Sequence, residues 1–109
     1  IIYVTHDKEQ HPEHRAAARL VRKSLQSIPK SKAPVVLMYE VWTPLQRMDH
    51  IVDITSVVEV KRLAIQAHRC QCAVMAFDEA IIGLNRYRGE MFSWPEGDYA
   101  EVFEKMSIQ

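Results

Sequence analysis

The chain opens on an apolar run, Ile1-Ile2-Tyr3-Val4, rich in β-branched and aromatic side chains. A continuous run of this kind predicts a strand buried on both faces, as in a parallel sheet. A polar stretch, His6 to His14, follows. Positions Ala16, Ala17, Leu20, Val21, Ser24, Leu25 and Ile28 then recur at spacings of three and four, with Arg15, Arg19, Arg22, Lys23 and Gln26 between them. That period predicts an amphipathic helix over 12–27. Pro12 suits its first position, where a missing N–H costs nothing, with His11 as the capping residue and His14 two positions further on. Pro29 stops it.

After a polar loop, Val35 to Trp42 predicts a second buried strand, ended by Thr43-Pro44 because proline cannot donate to a ladder. Ile51 to Ile54 predicts a short third strand. Thr55 or Ser56 then caps a helix, with Ser56 and Glu59 at capping-box spacing. Val57, Val60, Ala64, Ala67 and Gln71 make its inward face, helped by Leu63 and Ile65, and it ends near Gln71. Asp78 caps a further helix over 79–88, with Ala80, Ile81 and Leu84 on one side and Gly89 just past its end. Residues 94–98 read as a turn, and Tyr99 to Met106 as a closing amphipathic turn or short helix. The order β-α-β-β-α-α predicts an α/β fold built in three layers.

Length and charge narrow the classes. At 109 residues the chain makes about one small domain, and 14 basic residues balance 14 acidic ones. That balance leaves no electrostatic footprint for nucleic acid or a membrane surface. No apolar run approaches the ~20 residues that span a bilayer, and no signal-peptide pattern is visible. Cys70 and Cys72 are too close along the chain for a disulfide framework, so a reduced, cytoplasmic setting is expected. A buried strand needs neighbours, and nothing precedes Ile1. The expectation is a C-terminal part of a larger protein, or one piece of a cleaved one.

The best candidate for chemistry is His11-Pro12-Glu13-His14. Residues three apart on a helix are neighbours, roughly 5–6 Å between Cβ atoms. The pair would sit at the carboxyl end of a strand, where open α/β sheets bind ligands. A catalytic zinc site takes about three protein ligands plus an open position, and two histidines supply one or two of them. The same pair also reads as a polar helix start, with His11 capping and His14 in solvent. Trp42, beyond a strand end, either lines the same crevice or packs the sheet edge. Asp53, just before a helix, reads either as a structural hydrogen-bonding residue or as one that faces the site. Arg88, in the basic stretch Asn85 to Gly89, either compensates a helix dipole or contacts a substrate hydroxyl or partner subunit. Cys70 and Cys72, beside His68, lack zinc-knuckle spacing and read as small buried hydrophobes. No Ser-His-Asp arrangement and no Gly-rich phosphate loop is present.

His11-Pro12-Glu13-His14-Arg15-Ala16-Ala17 resembles the second metal motif, His-Pro-Asp-His-Arg-Ala, of the LmbE/PIG-L-type N-acetylglucosaminyl deacetylases. Further segments resemble the bacillithiol-biosynthesis BshB branch of that family, in order along nearly the whole chain. They are Tyr39 to Pro44, Asp49 to Thr55, Lys61 with Ala67 to Gln71, Gly83 to Gly89, and Tyr99 to Phe103. Two positions depart from the pattern: Glu13 stands where Asp is usual, and Cys70 where Ser is commoner.

The resemblance implies a Rossmann-like three-layer α/β/α fold, with residues 1–109 as the C-terminal portion of a single parallel-sheet domain. It implies a hydrolase that removes the N-acetyl group from a glucosamine conjugate such as N-acetylglucosaminyl-malate, using Zn2+. Iron, cobalt or nickel also suit His/Asp sites. By resemblance His14 is a metal ligand, and His11 is the catalytic histidine that stabilises the oxyanion and then protonates the departing amine. That role calls for a carboxylate beside His11, from Asp7, Glu9 or Glu13. The remaining ligands and the general base belong to a His-Pro-Asp-Asp motif absent from these residues. The fragment alone is therefore expected to be inactive, its partners being that missing N-terminal segment, the small-molecule conjugate, and further copies in a trimer or hexamer. The competing expectation is a non-catalytic α/β binding or assembly module that keeps the fold. A third is a hydrolase of another class that uses the His pair differently.

Overall fold

Proline at position 12 and the three alanines that follow shortly after it set how the first part of the chain folds. The structure, a computed structural model, describes residues 1–93, 95 and 97–108. It is a mixed α/β fold. The elements are β1 (Ile2–Thr5), α1 (Pro12–Leu25), β2 (Val36–Tyr39), β3 (His50–Asp53), a 3-10 turn (Thr55–Val57), α2 (Val58–Gln66), α3 (Arg69–Val74), α4 (Phe77–Phe92) and β4 (Ala100–Lys105). The strands hydrogen-bond in the order β1-β2-β4-β3. The chain divides into two units, one of Ile1–His50 with Val102–Gln109 and one of Ile51–Glu101.

In the first unit β1 and β2 are parallel, in register from Ile2↔Val36 to Thr5↔Tyr39. Pro12 opens α1 and His11 is its N-cap residue, although the His11 side chain makes no capping hydrogen bond. The buried face of α1 is rotated from the expected stripe. Ala18 and Leu25 are buried, with Ala17 and Val21 packed beside them, whereas Ala16 is exposed and Leu20 is 67% exposed. Adjacent alanines offer two faces of similar hydropathy, and packing on the sheet selects one. A helix seated on a small residue approaches its neighbour most closely. Val4, Val36, Met38 and Met106 complete this core.

Val36, Leu37 and Met38 are all buried, the two-faced burial that the run predicts. The last segment differs from expectation: it is a strand, not a turn or short helix. β4 lies antiparallel to β2, with Leu37↔Lys105, Met38↔Glu104 and Tyr39↔Phe103. Over eight residues, apolar positions at 99, 102, 103 and 106 satisfy a helical period, while those at 100, 102 and 106 also fit an alternating one. The free edge of β2 decides the matter. The sheet is therefore mixed in direction. Asp49 completes the edge: its N–H donates to the Phe103 carbonyl at 2.8 Å and its carboxylate accepts the Lys105 N–H at 2.9 Å. The Lys105 bond, foremost, holds its carboxyl below the ordinary carboxylate value.

In the second unit Thr55 joins two segments. Its Oγ1 donates to Asp53 Oδ1 at 2.6 Å and accepts the N–H groups of Asp98 and Tyr99 at 2.9 and 3.1 Å. Asp53 is thus a structural hydrogen-bonding residue, the first of its two expected readings, and the Thr55 hydroxyl lowers its pKa. The helix expected to run to Gln71 is two helices, α2 and α3, broken where His68 takes φ −80° and ψ 66°. No side chain caps α2, so the Ser56–Glu59 box does not form, and Glu59 pairs with Arg62 at 3.1 Å instead. The inward residues are Val58 and Ile65, packed with Ile54 and Ile82. Val57, Val60 and Leu63 are exposed.

α4 starts before Asp78, which lies inside its first turn and accepts a hydrogen bond from Gln66 at 2.9 Å. Its buried residues are Ile82, Asn85, Arg88 and Gly89, whereas Ile81 and Leu84 are only half-buried and Ala80 is exposed, so the inward face is turned from the one expected. Cys70 is exposed and Cys72 half-buried, not the fully buried pair expected; the Cys72 thiol donates to the Ile65 carbonyl at 3.4 Å. Of the expected turn at 94–98, Trp94 and Glu96 lie outside the described residues. Among the described residues, no helix is long and apolar enough to cross a membrane.

Gly89 is not past the helix end but within it, because α4 meets other backbone there. A Cβ on Gly89 would collide with the Asp98 carbonyl and the Tyr99 nitrogen, whereas one on Gly83 meets nothing within 4 Å. Gly83→Ala should follow helix propensity and stabilise by about 0.5–1 kcal/mol. Gly89→Ala should instead destabilise by roughly 1–3 kcal/mol, since backbone cannot yield as a side chain can. Urea unfolding of the two variants reads the difference, and equal effects would remove the close approach as its cause.

Candidate functional site

The polar stretch between β1 and α1 folds around a carboxylate. Glu9 is 0% exposed. Its Oε1 accepts the N–H groups of Trp42 and Thr43 at 2.8 and 2.9 Å, and its Oε2 accepts that of Val41 at 3.3 Å. Successive backbone N–H groups converging on one anion form a nest. These donors would have served a ladder had β2 run on to Trp42, as its apolar pattern predicts. The carboxylate takes them instead, and the strand stops at Tyr39. Glu40 makes a similar turn just beyond, accepting the Leu45 N–H at 2.7 Å.

Other bonds pin both sides of this nest. The Gln10 N–H donates to Thr43 Oγ1 at 2.8 Å. Arg15 reaches back from α1, donating to the carbonyls of Glu9 and Gln10 at 2.8 and 2.6 Å. Thr5 Oγ1 donates to the His14 carbonyl at 2.9 Å, tying the first turn of α1 to the end of β1. His6, buried, lies 2.6 Å from the Thr43 carbonyl through Nε2, and its Nδ1 accepts the Lys8 N–H at 3.3 Å. A carbonyl only accepts, so the His6 proton sits on Nε2. That same nitrogen is 3.4 Å from Glu9 Oε2.

His11 and His14 come together as their spacing predicts. Their rings stack with centroids 4.6 Å apart and planes inclined by 30°. Both Nδ1 atoms are buried without a hydrogen-bond partner. His14 Nδ1 lies 4.0 Å from Glu9 Oε1, while the side chain as a whole is 27% exposed. The edge open to solvent is therefore the one carrying Nε2.

The other expectations fare differently. Trp42 joins the cluster through its backbone N–H, and its side chain is well exposed. Arg88 belongs to α4 of the second unit, buried, with its guanidinium 5.8 and 5.4 Å from the ring centroids of Tyr87 and Phe92. The carboxylate expected beside His11 is not there among the described residues. Asp7 pairs with Arg22 at 2.8 Å, Glu9 faces His6 and His14, and Glu13 is exposed. The amide nest draws Glu9 toward the segment just after β2.

His6 and Thr43 went unrecognised in the sequence, and Glu9 was expected only as one of three carboxylates that could stand beside His11, because each sits in an ordinary polar stretch. One signal was available. The run before the first loop is four residues long and the run at Val35 to Trp42 is eight, so half the second run has no parallel partner. Among the described residues no three His, Cys, Asp or Glu side chains converge as a metal-binding group.

No protein-family model matches the chain, and no curated relative does either. Its fold is similar to the crystal structure of the conserved protein TT1542 from Thermus thermophilus, with a TM-score of 0.76 and 23% sequence identity. The likeness covers 98% of this chain and 51% of that one, so this chain spans about half the length of that protein. The likeness is one of fold.

If Glu9 organises these loops, its removal strands three backbone donors. Glu9→Ala should destabilise the first unit by about 3–5 kcal/mol. Glu9→Gln, which keeps one acceptor and adds unwanted donors, should cost roughly 1–3 kcal/mol. Urea titration of both variants is the check, and a loss under about 0.5 kcal/mol for Glu9→Ala would mean that the loops hold themselves.

Proposed function

We propose that this chain carries part of the active site of a metal-dependent N-deacetylase acting on an N-acetylglucosamine conjugate. The observation that carries the reading is the stacked pair His11 and His14 at the start of α1, just beyond the carboxyl end of β1. The resemblance of the surrounding motifs, in order along the chain, points the same way. So does the donor chemistry of His14. Its Nδ1 is buried toward a carboxylate while its other edge is open, the disposition usual for a metal-binding imidazole.

In this reading His14 is the ligand that these residues contribute, to Zn2+ or another divalent ion. A divalent ion held there would supply Lewis acidity toward the amide carbonyl and toward water. His11, stacked on His14, donates a hydrogen bond to the carbonyl oxygen as that oxygen gains charge, and then passes its proton to the departing amine. The first-turn N–H groups of α1 add positive potential that favours the same developing charge. Trp42, exposed at the edge of the cluster, is the side chain proposed to meet the sugar.

The finer fold assignment belongs to the same proposal: a Rossmann-like three-layer α/β/α domain, of which residues 1–109 form the C-terminal portion. The remaining ligands and the base would come from the preceding segment of the intact protein. A cytoplasmic setting and a homo-oligomeric assembly go with it, the first supported by two free thiols.

The test uses the intact protein. It should contain about one zinc per subunit and release acetate from an N-acetylglucosamine conjugate such as N-acetylglucosaminyl-malate. His14→Ala should lose most of the metal. His11→Ala should keep the metal and lose about 10²–10³-fold in kcat. A protein that binds no divalent metal, or a His14→Ala variant that keeps its full complement, would overturn the reading.

A further inference from the structure

Glu9 is a fully buried carboxylate whose neighbours are donors, not cations. Three backbone N–H groups reach its oxygens, and the proton on His6 Nε2 lies beside Oε2. One remaining neighbour is undetermined by bonding: His14 Nδ1, buried, unpartnered and 4.0 Å from Oε1. A neutral imidazole carries its proton on one nitrogen and a lone pair on the other. With the lone pair on Nδ1, two electron-rich atoms, neither of them open to solvent, would face each other. Charge interactions are strong there because the surroundings are poorly polarisable. With the proton on Nδ1, the N–H dipole points at the carboxylate, and the sole lone pair is on the open edge of the ring.

We infer that Glu9 is a positioning residue. Anchored by the amides of Val41, Trp42 and Thr43, it holds His14 as the Nδ1–H tautomer and turns Nε2 outward as the ligating nitrogen. The inference deepens the proposed function and rests on it only for the identity of the ligand, a divalent metal. It also separates the two stacked histidines. His14 faces a fixed carboxylate, and His11, with an equally buried Nδ1, has none within 4 Å among the described residues.

Two measurements on the intact protein test it. Long-range 1H–15N correlation of the metal-free protein at about pH 8, above the ordinary histidine value, reads the tautomer directly. His14 should be predominantly Nδ1–H, and His6 predominantly Nε2–H. In Glu9→Gln, which keeps the shape and removes the charge, the Nδ1–H fraction of His14 should fall while the His6 tautomer stays. Zinc titration should then show a Kd about 10–100-fold higher for Glu9→Gln than for the unaltered protein. A predominantly Nε2–H His14 in the unaltered protein overturns the inference, whether or not Glu9→Gln folds. So does a tautomer unchanged in a folded Glu9→Gln variant, or an unchanged zinc Kd. If the unaltered protein binds no zinc, the deacetylase reading fails, and the tautomer result still decides the role of Glu9.

Discussion

A carboxylate without solvent is the constraint on which the first unit is built. Burying an ionised group is costly unless every lone pair finds a donor. Here the donors are mostly main-chain N–H groups from the segment just after β2. Meeting that requirement fixes much else. It ends β2 early, ties the loop before α1 to the loop after β2, and sets two imidazoles against one anion. Arg15 and Thr5 close the arrangement by pinning the loop carbonyls and the first turn of α1. His6 and His14 are thus held by a polar framework, while the apolar core around Ala18 and Leu25 lies beneath α1.

The second unit uses a different device for a similar problem. Its helices make few deep apolar contacts, and the segment before β4 is held by close backbone approach and by one hydroxyl. Gly89 lets α4 come against the backbone of Asp98 and Tyr99, and Thr55 takes the N–H groups of the same two residues. Asn85 adds a bond to the Ala100 carbonyl at 3.0 Å. Small and polar residues therefore define this unit as much as its short core of Ile54, Val58 and Ile82.

What the sequence made legible was local. Pro12 located the start of α1, the β-branched runs located β1 and β2, and the three-residue spacing brought His11 beside His14. What it hid was chosen by tertiary packing. Ala16, Ala17 and Ala18 are alike in propensity, and only docking selects Ala18. The stretch from Tyr99 to Met106 fits two periods, and the open edge of β2 makes it a strand. Ser56 and Glu59 have the right spacing for a capping box, yet a 3-10 turn precedes α2 and no cap forms. Glu9 was least visible of all, because a buried carboxylate in a nest and a solvated one in a loop have the same sequence.

The claim that the Glu9 carboxylate holds the segment after β2 can be tested directly by amide hydrogen exchange of the intact protein, resolved by residue. The N–H groups of Trp42 and Thr43 lie outside any strand or helix, so nothing in regular secondary structure protects them. The account predicts slow exchange at both, comparable with the Met38 amide within β2, because they open only when the unit opens. Exchange as fast as in an exposed loop would contradict it.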